Sequence, residues 1–165
     1  MNTRSHQGFV KERIGQVTYC GVYCPNCGAR CHIPSKAAAL KESMIDGQYD
    51  EWGHSLEGFT AFWKFLNGLV ETNDSKSCRN ESCGFPGCGI RKCAKSKGVK
   101  VCPYCEDYPC EMIRQFSGSE PTVIFDGKRM KEIGLEKWIG EQEERRRRGF
   151  SYSDIRCGKG SIPEG

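Results

Sequence analysis

The sequence contains no apolar run long enough to cross a membrane. Its most apolar window, residues 59–70, is interrupted by Lys64 and Asn67 and is shorter than the ~20 residues that a bilayer requires. The first 17 residues carry four charged side chains and lack the continuous apolar stretch of a secretory signal. We therefore expect no membrane association and a location in the reducing cytoplasm.

The sequence also has few residues with which to build an apolar core. Hydrophobic residues make up only 37% of the 165, whereas there are 20 glycines and 7 prolines, so much of the backbone is expected to be irregular. The length predicts one domain, because two large domains need a longer chain. Something other than burial of apolar side chains must help to stabilise that domain.

Cysteine is the residue type that stands out, with 12 in the chain. In a reducing compartment such a number indicates metal ligands before disulfides. We predict a mainly α fold: a small single domain of short helices with irregular cysteine-rich metal-binding loops. This domain is expected to span residues 1–148, and a loose glycine-rich tail is expected over residues 149–165.

Hydrophobic periodicity and capping signals predict the helices. Pro34 is expected to start a helix that ends near Gly47, and Ser55 a second whose aromatic stripe (Phe59, Phe62, Trp63, Leu66, Leu69 and Val70) packs in the core. Short helices are expected over residues 90–97 and from about Pro109. Residues 121–125 are expected to be extended, and residues 128–148 to form one long amphipathic helix.

The spacing of the cysteines is typical of metal sites. Cys24-Pro25-Asn26-Cys27-Gly28 has the form of a metal knuckle, in which two thiolates three residues apart face one ion. Cys102-Pro103-Tyr104-Cys105 is a second such pair, and Cys110 follows it at the expected start of a helix, where a thiolate is favoured. The predicted metal ligands are Cys20, Cys24, Cys27, Cys78, Cys83, Cys88, Cys93, Cys102, Cys105 and Cys110.

Positive charge accompanies these cysteines. Between residues 76 and 100 there are seven basic residues and one acidic residue, and Phe85 is the one aromatic among them. Four thiolates on a divalent ion leave two excess negative charges, which nearby cations stabilise. This pattern favours charge compensation or solubility over nucleic-acid binding.

The cysteine pattern admits more than one metal. Two zinc ions bound by four thiolates each would use eight of the eleven clustered cysteines, whereas a [4Fe–4S] cluster uses the same kind of ligand. The order Cys20, Cys24, Cys27 also matches radical S-adenosylmethionine enzymes, and Cys102 with Cys105 matches a glutaredoxin motif. The chain is too short and too rich in loops for the first fold, and the separations do not suit the second.

The sequence contains no recognisable catalytic motif. We therefore interpret the protein as a zinc-binding structural or protein-interaction module, with an unidentified protein as its partner. The alternative is an iron–sulfur protein in electron transfer or redox chemistry. The roles of Cys31 and Cys157 stay open.

Several motifs resemble the cysteine-rich family known as domain of unknown function 3795. They are the stretch from Tyr19 to Cys24 with Cys27, the stretch from Cys88 to Ala94, residues 97–99, Cys102 with Cys105, and the stretch from Tyr108 to Glu111. The resemblance covers roughly residues 17–116 and implies a metal-binding domain without an assigned reaction. Similar members continue into a small zinc ribbon with two cysteine pairs, of which the tail of this chain keeps only Cys157.

Overall fold

The computed structural model describes residues 13–71, 77–79 and 85–161, and this part of the chain is built from helices. The mainly α fold is confirmed, since its extended pairing is limited to one isolated antiparallel bridge between Val17 and Tyr23. The helices are α1 (Gly28–Asp46), α2 (Tyr49–Trp52), α3 (Phe59–Val70), α4 (Gly89–Ser96), α5 (Glu111–Ser117), α6 (Thr122–Ile133), α7 (Leu135–Arg147) and α8 (Tyr152–Arg156). Within the described ranges, no helix combines the length and apolar character that a membrane crossing demands.

The larger apolar core joins the two ends of the described chain. Val17 and Tyr23, from before α1, pack with Met130 of α6, Trp138 of α7 and Tyr152 of α8. The rings of Tyr23 and Trp138 meet edge to face with their centroids 6.3 Å apart, a geometry that aromatic pairs prefer. Residues that are more than a hundred positions apart in sequence therefore share one core.

A smaller core lies among the cysteines. Ala94, Cys102, Ile113 and Val123 are buried together, and other side chains pack around them, including those of Cys20 and Cys110. Because this core is small, it stabilises the loops around it less than a large core would. The cysteine-rich loops are thus attached to the α4, α5 and α6 helices by few apolar contacts.

Helix α3 forms, but it begins at Phe59, whereas Ser55, which was predicted to start it, ends a 3₁₀ turn before it. Its predicted apolar stripe is only partly buried. Phe59 and Leu66 are buried, whereas Phe62 is 42% exposed and Phe65 is 66% exposed. Among the described residues, α3 packs mainly against α1, which covers one side of the helix. The expectation that this stripe is core packing is therefore wrong for Phe62, whereas Phe65 lies outside the predicted stripe.

Two predicted helix boundaries differ from the structure. Pro34 does not start α1 but lies inside it, since the helix begins six residues earlier at Gly28, directly after the first knuckle. Residues 121–125, expected to be extended, belong to the turn before α6 and to α6 itself. Their β-branched residues favour strands in isolation, but here Thr122 and Val123 are buried on a helix.

The C-terminal part of the chain also differs from expectation. The predicted long helix is two helices, because Gly134 interrupts it at φ 83° and ψ 156°. The tail is not loose over residues 151–156: Ser151 caps α8 by accepting a hydrogen bond from the N–H of Ser153, and Tyr152 is buried in the larger core. The buried Tyr152 ring anchors this segment.

The glycine at position 127 is required where α6 meets the cysteine-rich loops. A Cβ atom there would lie 1.9 Å from the hydroxyl oxygen of Tyr108, which donates a hydrogen bond of 2.9 Å to the carbonyl oxygen of Val123. We expect Gly127→Ala to lower the free energy of unfolding by about 1–3 kcal/mol, because Tyr108 must move away.

Gly140 of α7 is the matched control, since a Cβ atom there meets nothing within 4 Å. Gly140→Ala should raise the free energy of unfolding by about 0.4–1 kcal/mol, as expected for an unstrained helical glycine. Denaturant unfolding of both variants measures the difference. Equal effects of the two substitutions would contradict the close approach at Gly127.

Candidate metal centre

The two Cys-Pro-x-Cys segments fold into the same local structure. Each forms a 3₁₀ turn, Cys24–Asn26 and Cys102–Tyr104, with proline in the first turn. The N–H of Cys27 donates to the carbonyl oxygen of Cys24 at 3.0 Å. In the same way, the N–H of Cys105 donates to the carbonyl oxygen of Cys102 at 2.8 Å. Side chains three residues apart eclipse in a 3₁₀ turn, so each turn places its two thiols on one side.

Four of the predicted ligands line one cavity of about 110 Å³. They come from three places in the chain: Cys93 lies on α4, Cys102 and Cys105 belong to the second 3₁₀ turn, and Cys110 is the residue that caps the N-terminus of α5. We call these four residues the cavity cluster. The prediction that Cys110 stands at the start of a helix is confirmed.

The walls of this cavity are apolar apart from one ion pair. Apolar side chains of α4 and α5, among them Ile90, Ala94 and Ile113, line it together with Lys97 and Asp107. Lys97 pairs with Asp107, and its Nζ lies 3.9 Å from the Sγ of Cys105. The ammonium group of Lys97 therefore lies beside the sulfur of Cys105 and the carboxylate of Asp107.

The remaining predicted ligands that the structure describes form a second group around the first knuckle. This knuckle cluster consists of Cys20, Cys24, Cys27, Cys78 and Cys88. Cys24 interacts electrostatically with Cys20, Cys27 and Cys78, and Cys20 with Cys78 and Cys88. Cys20 also interacts with Cys102, so the two clusters adjoin at this residue. Thr18 Oγ1 lies 3.0 Å from the Sγ of Cys20, and the N–H of Tyr19 donates to the Sγ of Cys78 at 3.4 Å. Hydrogen bonds of this kind orient sulfur ligands and stabilise their charge.

Burial makes several of these thiols weak acids. It raises the pKa of Cys20 to about 11, with smaller contributions from the neighbouring Cys78 and Cys88. It also raises the pKa of Cys24 and that of Cys102 to about 12. A reactive cysteine needs a lowered pKa, so Cys102 lacks the acidity of a glutaredoxin nucleophile.

The structure does not bring every predicted ligand into a finished site. Among the described residues, no group of three or more Cys, His, Asp or Glu side chains is arranged to hold a metal ion as the side chains stand. The described cysteines are also free of disulfides. Metal binding at either cluster therefore requires thiol side chains to turn toward the ion. Cys83, which was also predicted to be a ligand, lies outside the described residues.

Cys31 and Cys157 are the two described cysteines that were not predicted to be ligands. Cys31 lies on α1, and Cys157 is exposed directly after α8. We expect Cys157 to be alkylated first when the native protein meets iodoacetamide, because buried thiols such as Cys24, 8% exposed, react slowly. Mass spectrometry after a short exposure identifies the labelled residue. Labelling of Cys24 while Cys157 is spared would contradict this assignment.

A buried polar network supports the first knuckle. Asn26, inside the 3₁₀ turn and fully buried, donates to Oε1 of Gln142 at 3.1 Å and to its carbonyl oxygen at 3.2 Å. Gln142 in turn donates to Oδ1 of Asp126, which also pairs with Arg145 at 3.0 Å. Burial raises the pKa of Asp126, and the charge of Arg145 opposes that rise. The knuckle is thus fixed to α6 and α7 by hydrogen bonds.

Sequence reasoning did not find Gln142 or Asp126. Gln142 lies within a charged stretch that is typical of a solvated helix surface, Asp126 follows a segment that was expected to be extended, and neither has a motif partner nearby in sequence. The sequence does contain one indication of such a partner, namely Asn26 between Cys24 and Cys27. A polar residue in a buried knuckle needs a hydrogen-bond partner elsewhere in the fold.

We expect Gln142→Leu to lower the free energy of unfolding by about 3 kcal/mol or more. Leucine leaves Asn26, Arg145 and Asp126 without hydrogen bonds that they make in the wild type, and a stranded buried polar group costs about 1–3 kcal/mol. Gln115→Leu is the control, because the side chain of Gln115 is exposed and, among the described residues, bonds only to the side chain of Glu111. Equal urea midpoints for the two variants would contradict the role of the network.

Comparison with known proteins identifies a family and nothing further. No curated protein and no solved structure matches the chain significantly. The model of the family described as protein of unknown function (DUF3795) matches residues 16–115. That range contains both 3₁₀ turns and every member of the two clusters, but it ends before Asp126 and Gln142. The chain belongs to the DUF3795 family.

Proposed function

We propose that the protein binds metal through cysteine thiolates, and that zinc is the metal. The observation that carries this proposal is the cavity cluster: four cysteines from three separate segments line one cavity. Four thiolates are a complete ligand set for a structural zinc ion. The donor set therefore fits zinc, with Cys93, Cys102, Cys105 and Cys110 holding one ion.

The knuckle cluster is proposed to hold a second ion. Its 3₁₀ turn has the same geometry as the turn in the cavity cluster, and five described cysteines supply more than the four ligands that zinc needs. Bound zinc would crosslink the loops that the small core holds weakly. The expected setting is the reducing cytoplasm, where thiols stay available for metal.

Within this proposal the protein serves as a structural or interaction module. Side chains exposed on α1 and α3, including Leu40, Phe62 and Phe65, give this helix pair an apolar surface suited to a protein partner. No catalytic role and no nucleic-acid partner are proposed.

An iron–sulfur cluster is the second candidate, and the size of the cavity favours it. One buried water needs roughly 10–15 Å³ of such space, whereas this cavity measures about 110 Å³ and has largely apolar walls. It therefore has room for several atoms. When bound, such a cluster would supply one-electron transfer.

Anaerobic purification followed by elemental analysis and a visible spectrum tests the proposal. We expect about two zinc ions per chain and little iron or labile sulfide. A brown protein that absorbs broadly near ~400 nm, with iron and sulfide in similar amounts, would replace zinc by the iron–sulfur candidate. A protein that binds no thiophilic metal under these conditions would overturn the proposed function.

A further inference from the structure

One short loop contacts both cysteine clusters. Residues 18–22, which we call the bridging loop, are closed at their base by the bridge between Val17 and Tyr23. Within the loop, the N–H of Thr18 donates to the carbonyl oxygen of Val22 at 2.8 Å. Gly21 has a φ of 100°, which glycine adopts without strain. Cys20 lies within this tight loop.

The bridging loop is attached to the knuckle cluster by several contacts. The N–H of Tyr19 donates to the Sγ of Cys78, and Thr18 Oγ1 bonds to the Sγ of Cys20. Arg79, the next residue after Cys78, donates from Nε to the carbonyl oxygen of Val17 at 2.7 Å. Its guanidinium carbon lies 4.2 Å from the centre of the Tyr19 ring. Cys78 is therefore held directly against the loop.

The same loop is attached to the cavity cluster. The carbonyl oxygen of Tyr19 accepts the N–H of Cys102 at 2.7 Å. Gly21 faces the second 3₁₀ turn, since a Cβ atom at this position would lie 3.3 Å from Cγ of Pro103. Cys20 packs against the small core that contains Cys102. Tyr19 thus donates to one cluster through its N–H and accepts from the other through its carbonyl oxygen.

On the basis of the proposed function, we propose that the two metal centres are thermodynamically coupled through the bridging loop, so that metal at one cluster strengthens metal binding at the other. A metal ion bound by Cys102 fixes the second 3₁₀ turn and, through the 2.7 Å hydrogen bond, the position of Tyr19. The position of Tyr19 in turn determines where its backbone N–H lies, and this N–H donates to the sulfur of Cys78. The second ion then pays less conformational entropy to order its ligands.

Matched variants measure the coupling. Cys24→Ser with Cys27→Ser, and Cys102→Ser with Cys105→Ser, each remove both cysteines of one 3₁₀ turn and should each leave one zinc ion per chain. Competition with a chromophoric chelator then gives the zinc association constant of each remaining centre. The overall association constant of the wild type describes the binding of both zinc ions. Coupling makes it larger than the product of the two single-centre constants by roughly 5–150-fold, the usual range for coupled sites.

Gly21→Ala extends the test to a protein that keeps every cysteine. Its methyl group presses on Pro103 and strains the loop, so we expect two zinc ions per chain with an overall constant at least about fivefold lower. Gly149→Ala is the control, because Gly149 also has a positive φ but faces open space.

The two proposals fail in different ways. A wild-type protein that binds no zinc contradicts the proposed function. Suppose instead that the wild type binds two zinc ions with an overall association constant that equals the product of the two single-centre constants. That result overturns the coupling but not the proposed function. Equal overall constants for Gly21→Ala and Gly149→Ala also overturn it, whatever the folding of the cysteine variants.

Discussion

Removal of the proposed zinc ions is expected to unfold the protein. A structural zinc ion contributes on the order of 10 kcal/mol at neutral pH, which equals the whole net stability of a typical domain at about 5–15 kcal/mol. The small core around Cys102 and Ile113 cannot offset that loss, because few apolar side chains are buried there. Circular dichroism after treatment with a strong chelator should show loss of the helical signal at room temperature.

The control is restoration of the metal. Added zinc should return the circular dichroism spectrum to its starting form, whereas magnesium should not, because thiolates are soft ligands that bind zinc in preference to hard cations. Thermal unfolding that is the same with and without metal would show that the metal is not part of the folded structure.

Replacement of both cysteines of the second 3₁₀ turn is expected to have the next largest effect. Cys102→Ser with Cys105→Ser removes half of the cavity cluster, so one metal ion per chain should be lost. The folding free energy that this ion is proposed to contribute, on the order of 10 kcal/mol, should be lost with it. We expect mostly insoluble protein. Elemental analysis of the soluble fraction and its thermal unfolding provide the measurements.

The matched control for this variant also removes two cysteines. Cys31→Ser with Cys157→Ser changes the two described thiols that were not predicted to be ligands, and should keep both the metal content and the unfolding temperature of the wild type. If the control loses metal while the cavity variant retains it, the assignment of ligands is wrong.

Local features of the sequence predicted local structure well. The spacing of Cys24 with Cys27 and of Cys102 with Cys105 predicted two knuckles, and both segments form matching 3₁₀ turns. The helix over residues 90–97 was predicted because Gly98 follows it, and α4 ends within two residues of that glycine. Capping and spacing act over a few residues, so they can be inferred without knowing the rest of the fold.

Features that depend on distant contacts could not be predicted in this way. Tyr152 stands in a glycine-rich stretch that is typical of a tail, and it is the packing against Tyr23 and Trp138 in the larger core that orders it. The division of the cysteines into two clusters likewise depends on how the loops fold back, which spacing alone does not determine. Pro34 was misplaced because proline usually marks a helix start, whereas α1 continues through it.

The larger core has a consequence for the order of events during synthesis. Tyr23 donates its N–H to the hydroxyl of Tyr152, a residue 129 positions later. At about 5–20 residues per second, the ribosome makes the second partner roughly 6–26 s after the first. The thiols of the first knuckle are therefore synthesised well before the helices that support them. Throughout that interval the first knuckle lacks the Gln142 and Tyr152 partners that fix it in the folded protein, so on the proposed function its thiols stay open to oxidation and to competing metals until the last helices are made.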